Sequence, residues 1–338
     1  MIAGFLELSQ ESPNLAEAEA ICGAEALGGG CASGGVQIPG LVAIEVPDIG
    51  SMSALARRLA LARRGLVIVS ASGESLPASA EREGASGASA RFRRVGRPTG
   101  GEVDEAILRC GRAFKAGGGT IDLAQPARRF WLARSADGQE HLLEEVGEVD
   151  REGLAQRRMP LLPFRRPVSL PPRLARAAVN LARVAAGDRV LDPFLGTGAL
   201  LAEAGLLGGK LFGIDRDSAM VQGALRNLSY LGVAAEELVV GDAREANFSD
   251  PSASFAAVVT DTPYGRSSST GGEGTTELVS RVVERWWDHL TPDGTLVVVA
   301  PATGGELDLG GPPRFRIPVR VHRSLTREFC MYDRSVER

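Results

Sequence analysis

The most constraining feature of this sequence is a series of short apolar segments in its second half, four of which end in aspartate. The segments are RVLD at 189–192, LFGID at 211–215, LVVGD at 238–242, FAAVVTD at 255–261 and TLVVVA at 295–300. We read the stretches between the strands as helical. Near-continuous apolar strands that alternate with helices predict a doubly wound, mostly parallel sheet, so the fold class is α/β. Two more segments, 315–321 and 326–332, predict an antiparallel edge hairpin.

Residues 1–150 predict a smaller α+β domain, in which short apolar strands alternate with helices. Asn14 and Glu17 have the spacing of a capping box, which predicts a helix that Asn14 caps. Residues 72–100 are rich in Ser, Gly and Ala and show almost no apolar periodicity. We therefore expect a long exposed loop there.

A Pro- and Arg-rich segment follows this domain, and we predict that residues 151–172 form a linker to a domain at 173–338. Its proline-rich part, 159–172, is expected to be stiff and extended. Residues 151–183 contain eight arginines and one acidic residue. Guanidinium groups bind phosphate oxygens through two hydrogen bonds, so Arg165, Arg166 and Arg173 are candidate contacts to a polyanion. A solvated linker explains the same cluster equally well.

Composition narrows the possible classes of protein. The 338 residues have a formal net charge of -4 and no apolar run near the roughly 18 residues that span a bilayer. The first residues, MIAGFLELSQ, lack the basic region of a signal peptide, so a cytoplasmic protein with no membrane association is expected. The four cysteines and three histidines have no zinc-site or disulfide spacing, so no metal site is expected.

The turn after the first parallel strand reads Asp192-Pro193-Phe194-Leu195-Gly196-Thr197-Gly198. Glycines in a turn between a strand and a helix let the backbone pass close to a ligand. The turn matches neither a P-loop, which requires GK[ST], nor GxGxxG. A purely structural tight turn would explain the two glycines about as well.

Aspartates at the ends of the next strands make a ligand site more specific. Asp215 is placed to accept hydrogen bonds from ribose hydroxyls, and Asp242 from an adenine amino group. Either residue alone could instead cap the following helix. Together with Asp192 they describe a pocket for a nucleoside without a pyrophosphate, of which S-adenosylmethionine is the common case.

The fourth strand ends in Asp261-Thr262-Pro263-Tyr264-Gly265. A planar exocyclic amine has its lone pair delocalised into the ring, so it needs acceptors that hold its hydrogens and turn the lone pair toward the incoming group. The Asp261 carboxylate and the Thr262 carbonyl can serve as these acceptors, and Tyr264 can stack on an extruded base. The alternative is a β-turn with a buried tyrosine.

These motifs resemble those of a known family. The turn at 192–198 resembles motif I of class I methyltransferases, and DTPYG resembles the (D/N)PPY motif of amino-methyltransferases. RRPVSLPPRLARAAVNLA before the turn, together with DTPYGRSS, is similar to the archaeal tRNA guanosine-10 N2-methyltransferase family. FLELSQESPNLAEAEAI and LARRLALARRGLVIV look more loosely like its ferredoxin-like and THUMP module.

The resemblance implies a class I, Rossmann-like methyltransferase domain preceded by a THUMP module that holds the 3′ acceptor end of tRNA. It implies S-adenosylmethionine as cofactor, with contacts at Asp192, Gly196, Thr197, Gly198, Asp215 and Asp242. It also implies direct in-line methyl transfer to guanosine N2, giving the mono- or dimethylated base, with catalysis at Asp261, Thr262, Pro263 and Tyr264. Eukaryotic relatives use a small activator subunit, which makes such a partner a further expectation here.

Thr262 departs from the family pattern, which usually has proline at this position. The required acceptor is a backbone carbonyl, which threonine also has, but some rigidity should be lost. The alternatives are an N2-methyltransferase for guanosine 6 of tRNA or for ribosomal RNA, an adenine methyltransferase for DNA, and an RNA-binding homologue with impaired catalysis. Residues 266–276 either close over the base or form a connector.

Overall fold

The computed structural model divides the chain into two compact units. The first contains Met1–Glu11, Leu27–Arg57 and Ala62–Val149, and the second contains Ser12–Ala26, Arg58–Leu61 and Asp150–Arg338. The structure describes residues 1–32, 34–71, 73–95, 104–167, 169–262, 275–302, 311–322 and 325–334.

The helices and strands of these residues are numbered in chain order. The strands are β1 (Ile2–Leu8), β2 (Gly30–Cys31), β3 (Leu41–Val46), β4 (Ala62–Ile68), β5 (Ser89–Arg94), β6 (Thr120–Ile121), β7 (Arg128–Arg134), β8 (Glu140–Glu148), β9 (Arg189–Asp192), β10 (Lys210–Asp215), β11 (Glu237–Val240), β12 (Phe255–Asp261), β13 (Leu290–Pro301), β14 (Phe315–His322) and β15 (Leu325–Asp333). The helices are α1 (Pro13–Glu25), α2 (Ile49–Arg58), α3 (Leu76–Gly84), α4 (Glu105–Ala116), α5 (Arg151–Gln156), α6 (Pro172–Leu181), α7 (Ala199–Gly205), α8 (Ser218–Tyr230) and α9 (Thr275–Trp287).

The sheet of the first unit has the strand order β2-β3-β1-β4-β8-β7-β5-β6. Strand β1 lies between β3 and β4 and runs antiparallel to both. The order β2-β3-β1-β4 is that of a ferredoxin-like sheet, in agreement with the expected α+β architecture. That the remaining strands complete a THUMP module stays a prediction.

The prediction of a long loop at 72–100 was wrong for most of that segment, because it contains helix α3 and strand β5. Small residues in both elements allow a close approach of helices α3 and α4. A Cβ atom on Gly84 would lie 2.2 Å from the backbone oxygen of Phe114, and one on Gly117 would lie 2.0 Å from that of Glu81. The Ser75 side chain caps α3 by accepting from the Ala78 amide at 3.4 Å. Small side chains here serve packing rather than chain freedom.

One local prediction at a helix start also needs correction. Helix α1 begins at Pro13, and its N-cap is Ser12, without a side-chain capping bond. Asn14 therefore does not cap it, since proline already has the backbone angle of a first helical turn. The predicted linker, 151–172, begins with helix α5, ahead of its proline-rich part. The Asp150 side chain caps this helix by accepting from the Gly153 amide at 2.9 Å.

The sheet of the second unit confirms the predicted doubly wound fold. Its order is β11-β10-β9-β12-β13-β15-β14. The pairs from β11 to β13 are parallel, and β15 runs antiparallel to both β13 and β14. The order and the strand directions agree with the predicted parallel sheet and its antiparallel edge hairpin.

The connection from β11 to β12 differs from the expected alternation, because residues 241–254 form turns and no helix. Polar side chains satisfy the backbone there: Glu237 accepts from the Ser249 amide at 2.9 Å, and Asp250 accepts from the Ser252 amide at 3.0 Å. Such local bonds favour turns over a helix. Trp286 of α9 anchors the connection by donating from Nε1 to the Ala243 carbonyl at 3.0 Å.

A continuous apolar core supports the strand ends of this sheet. Phe212, Phe248, Phe255 and Trp286 form an aromatic cluster whose ring centroids lie 5.3 to 6.1 Å apart. Such packing holds the strands in fixed register, and with them the residues that follow their carboxyl ends. No helix among the described residues is long and apolar enough to cross a bilayer.

Candidate functional site

Four of the predicted aspartates meet at one edge of the second sheet. Asp192, Asp215 and Asp261 are the last residues of β9, β10 and β12, and Asp242 lies two residues beyond β11. These four strands are consecutive neighbours in the sheet and run parallel. Because the carboxyl ends of parallel strands meet at one edge, the fold brings together acids that are up to 69 residues apart in sequence.

The turn after β9 requires both of its glycines. Gly196 and Gly198 have φ angles of +51° and +79°, a left-handed conformation that costs other residues free energy. A Cβ atom on Gly198 would also lie 3.1 Å from the Cβ of Ala224. The Gly196 amide donates to Oδ2 of Asp215 at 2.9 Å, so the turn is tied to the neighbouring strand end.

Asp192 lies beneath this turn and is only 2% exposed. Its Oδ1 accepts from the Thr260 hydroxyl at 2.8 Å and from the Phe194 amide at 3.0 Å. Burial, which disfavours the charged form, raises the pKa of Asp192 to about 7, and these two hydrogen bonds oppose the shift. The geometry gives Asp192 a supporting role, holding the turn against β12.

Asp215 is less buried and keeps acceptor capacity. Its Oδ1 accepts from the Asp217 amide and its Oδ2 from the Gly196 amide, each at 2.9 Å. Burial raises the pKa of this carboxyl group, and the two backbone bonds act in the opposite direction. Each carboxylate oxygen has a second lone pair, so Asp215 can still accept from two neighbouring hydroxyl groups.

Asp242 is held by Arg244, a residue that the sequence analysis did not identify. The guanidinium donates from Nε to Oδ1 at 2.9 Å and from Nη2 to Oδ2 at 2.5 Å, and the Arg244 amide also donates to Oδ1. These bonds hold the pKa of Asp242 at about 2, despite an opposing contribution from desolvation. The Asp242 carboxylate is thus ionised and fixed in orientation, with its side chain about one third exposed.

The segment before α6 also reaches this edge. Ser169 and Thr197 share a hydrogen bond between their hydroxyl oxygens at 2.8 Å. The Asn227 side chain of α8 accepts from the Phe164 amide at 2.9 Å and donates to both the Phe164 and the Thr197 carbonyls at 3.0 Å. Gly223 makes room for the Phe164 ring, because a Cβ atom there would lie 2.2 Å from it. These contacts make the segment a wall of the site.

Asp261 and Thr262 occupy the end of β12. Arg327 of β15 forms an ion pair with Oδ1 of Asp261, whose side chain is 18% exposed. Burial raises the pKa of Asp261, and Arg327 counteracts this effect. Thr262 is 2% exposed and donates its amide hydrogen to the Val299 carbonyl at 2.9 Å. This hydrogen bond fixes the peptide between Asp261 and Thr262, although residue 262 is not the usual proline.

The other half of the predicted amine-binding motif cannot be placed. Pro263 and Tyr264 lie outside the described residues, as does most of the candidate closing loop at 266–276. Their assignment rests on the sequence alone.

The arginine cluster divides into two groups. Arg165 and Arg166 are exposed, whereas Arg173 is half-buried and donates to the Ala60 carbonyl at 3.3 Å. Arg157 and Arg176 both donate to the buried Glu203, each at 2.7 Å from Nε. Part of the cluster thus has a structural function, and its exposed members are the better candidates for phosphate contacts.

Several residues of the site were missed by sequence reasoning, namely Phe164, Ser169, Asn227, Arg244, Thr260 and Arg327. Thr260 alone carried a signal, as a polar residue inside the otherwise apolar part of β12 before Asp261. Within the described residues, no group of three or more His, Cys, Asp or Glu side chains could hold a metal ion.

Comparisons with known proteins point to one kind of enzyme. A family model described as RMKL-like, methyltransferase domain, matches residues 161–305. The tRNA (guanine(10)-N2)-dimethyltransferase of Pyrococcus abyssi is 42% identical over 63% of this chain and 62% of its own length. The enzyme of the same name from Methanothermobacter thermautotrophicus is 38% identical over 57% of each chain. A probable tRNA (guanine(10)-N2)-dimethyltransferase of Methanothermococcus thermolithotrophicus is 33% identical over 48% of this chain and 99% of its own length.

The similarity is partial in extent. This chain matches less than two thirds of the length of the Pyrococcus and Methanothermobacter proteins. In contrast, it spans nearly the whole of the shorter Methanothermococcus relative.

Proposed function

This chain belongs to the tRNA (guanine(10)-N2)-dimethyltransferase family, and we therefore propose that it transfers methyl groups from S-adenosylmethionine to the exocyclic N2 of guanosine 10 in tRNA. The observation that carries the proposal is the position of Asp261 in the sheet. It ends the strand next to β9, whose glycine turn is tied to Asp215. An acceptor for an amine thus adjoins a pocket suited to a nucleoside.

The residues of the pocket fit S-adenosylmethionine, which supplies a methyl group on a sulfonium centre. Asp215 retains lone pairs for ribose hydroxyls, and the Asp242 carboxylate is ionised and fixed for an amino group. A Cβ on Gly196 would have only the Phe194 oxygen nearby, at 3.8 Å, so a ligand can approach the turn closely. In this proposal Thr197 and Gly198 contribute the same turn, and Asp192 supports it from below.

Asp261 and Thr262 perform the catalytic work in this proposal. Asp261 accepts a hydrogen bond from the target amine and takes the proton that the amine loses on methylation. The Thr262 carbonyl accepts a hydrogen bond from the second amine hydrogen, and the hydrogen bond from the Thr262 amide to the Val299 carbonyl fixes the preceding peptide. Catalysis then consists of positioning and preorganised acceptors, without a covalent intermediate. Pro263 and Tyr264 complete the site by holding the flipped base.

We assign binding of the acceptor end of tRNA to residues 1–150, acting as a THUMP module. One face of their sheet is rich in arginine. The pKa of Arg91 is lowered, first by partial desolvation and then by the positive charges of Arg93 and Arg129, which lie close to it. Such a cluster suits a phosphate backbone. In the second unit, the exposed Arg165 and Arg166, together with Arg173, are further candidates for phosphate contacts. We place the reaction in the cytoplasm and retain a small activator subunit as a prediction, which activity of the purified chain alone would refute.

The decisive experiment measures methyl transfer from labelled S-adenosylmethionine to unmodified tRNA transcripts. We expect label to be lost when guanosine 10 is replaced and retained when guanosine 6 is replaced. The opposite pattern would contradict the proposed position while leaving the chemistry intact. Absence of label on every tRNA would contradict the proposal and direct the search to ribosomal RNA or DNA, or to a protein that only binds RNA. Nucleoside analysis of the product then distinguishes one methyl group from two.

A further inference from the structure

The ion pair between Arg327 and Asp261 joins two strands that are not neighbours. Strand β13 lies between β12 and β15, with Asp261 opposite Val299 and Val299 opposite Phe329. Arg327 is two residues from Phe329 and therefore on the same face of the sheet. Its side chain passes the end of β13 and reaches Oδ1 of Asp261.

Burying the charged Arg327 side chain costs free energy of desolvation. The residue is 3% exposed, and a guanidinium stays charged at any physiological pH. Removing such a charge from water carries a large penalty, and apolar side chains often replace buried ion pairs without loss of stability. The neighbouring positions of β15 show that apolar residues fit there, since Phe329 and Met331 are fully buried. An arginine at position 327 therefore suggests a requirement beyond folding.

Arg327 approaches one oxygen of the carboxylate, the buried Oδ1. A carboxylate has a second oxygen, here Oδ2, with lone pairs of its own. Burial disfavours the charged form of this carboxylate and raises its pKa, and Arg327 acts in the opposite direction. Among the described residues, Arg327 is thus the cation that offsets the burial of Asp261.

We propose that Arg327 is a positioning residue for methyl transfer, holding Asp261 ionised by its Oδ1 so that Oδ2 faces the target amine. The inference rests on the proposed function, because it assigns Asp261 the role of amine acceptor. It adds a residue of the terminal hairpin, 66 positions away in sequence, to the machinery at the end of β12.

The kinetic test compares Arg327→Met and Arg327→Lys with a matched control, Arg316→Met. Arg316 lies on the adjacent strand of the same hairpin and faces Glu328 at 3.8 Å. For Arg327→Met we expect a methyl-transfer rate about 10- to 100-fold lower at pH 7. Its activity should recover toward higher pH as Asp261 ionises, and its affinity for S-adenosylmethionine should stay within about twofold, since that pocket is untouched. Arg327→Lys should be intermediate because it keeps the charge, and Arg316→Met should match the wild type.

A second measurement does not depend on activity. Titration of the Asp261 carboxyl carbon by NMR, assigned with Asp261→Asn, should show a pKa about 1 to 3 pH units higher in Arg327→Met than in the wild type. If Arg327→Met unfolds, the double variant Asp261→Asn/Arg327→Met removes both charges and should restore a melting transition close to that of Asp261→Asn alone. Failure of this restoration would show that Arg327 is needed for packing and would overturn the inference.

Other outcomes separate the inference from the proposed function. A wild-type rate and pH profile in Arg327→Met would overturn the inference while the enzyme still methylates guanosine 10. A slower variant with an unchanged Asp261 titration would show a structural role only, and would overturn it too. If the wild type methylates no tRNA, the proposed function fails, and the titration alone still decides whether Arg327 controls the ionisation of Asp261.

Discussion

Replacing Asp192 by Asn should stabilise the second unit at neutral and alkaline pH. Both hydrogen bonds to Asp192 end on Oδ1, from the Thr260 hydroxyl and the Phe194 amide. An asparagine oxygen can accept the same two bonds, so the substitution removes the charge and keeps the contacts. What remains is the free-energy difference between a buried carboxylate and a buried amide.

The pKa of Asp192 gives the size and sign of this effect. The folded value of about 7 lies above the ordinary value of 3.8, so the folded state binds the proton more tightly than the unfolded state. Stability from this group is complete below about pH 4, falls as the pH rises toward 7, and is lost above that. At about 1.4 kcal/mol per pH unit, the loss amounts to about 4 kcal/mol at pH 8 and about 2 kcal/mol at pH 5.

The assay is urea unfolding at pH 5 and pH 8, followed by the fluorescence of the buried Trp286 and Trp287 in the same unit. The stability advantage of Asp192→Asn should be about two to three times as large at pH 8 as at pH 5. Asp293→Asn, at an exposed position of β13, serves as the control and should leave both values unchanged. An Asp192→Asn variant with the same advantage at both pH values, or with lower stability at pH 8, would refute the reasoning.

Three further substitutions test the site. Asp261→Ala should reduce methyl transfer by about 100- to 1,000-fold in a single-turnover assay, because it removes a preorganised acceptor. Equilibrium binding of S-adenosylmethionine should persist, and full activity would contradict the assigned role. Thr262→Pro should keep methyl transfer but lower the free energy of unfolding by about 1 to 3 kcal/mol in a urea titration, since the hydrogen bond to the Val299 carbonyl is lost. An inactive but folded variant would show that threonine has a role of its own. Gly198→Ala should weaken S-adenosylmethionine binding at least about tenfold by calorimetry, because alanine is strained at φ +79° and its Cβ would lie 3.1 Å from Ala224. Unchanged affinity would show that the turn tolerates the side chain.

Local patterns in the sequence were sufficient to predict the sheet that carries the site and the aspartates at its edge. Apolar strands that end in aspartate predicted the parallel sheet, and Asp192, Asp215, Asp242 and Asp261 lie together at its edge. Such patterns are informative because side-chain burial repeats with the period of each element. Gly196 and Gly198 could be read similarly, since their left-handed angles are a local property of the turn.

Local patterns failed where small residues had a tertiary function. The segment 72–100 has the composition of a loop, yet it contains α3 and β5, and Gly84 of α3 packs against the backbone of Phe114 in α4. Nothing within the segment shows that a helix packs against it. A low apolar periodicity is therefore weak evidence for a loop when the small residues are contact points.

The sequence by itself determined which acids and glycines stand at the strand ends, because each is set by its own strand and turn. Only the tertiary structure decided how they are used. It buried Asp192 as a support, tied Asp242 to Arg244, and brought Arg327 from the terminal hairpin to Asp261. Pairing between distant strands depends on register and packing across the whole sheet, and burial of a charge depends on every neighbour at once. Neither property is encoded in a local stretch of residues.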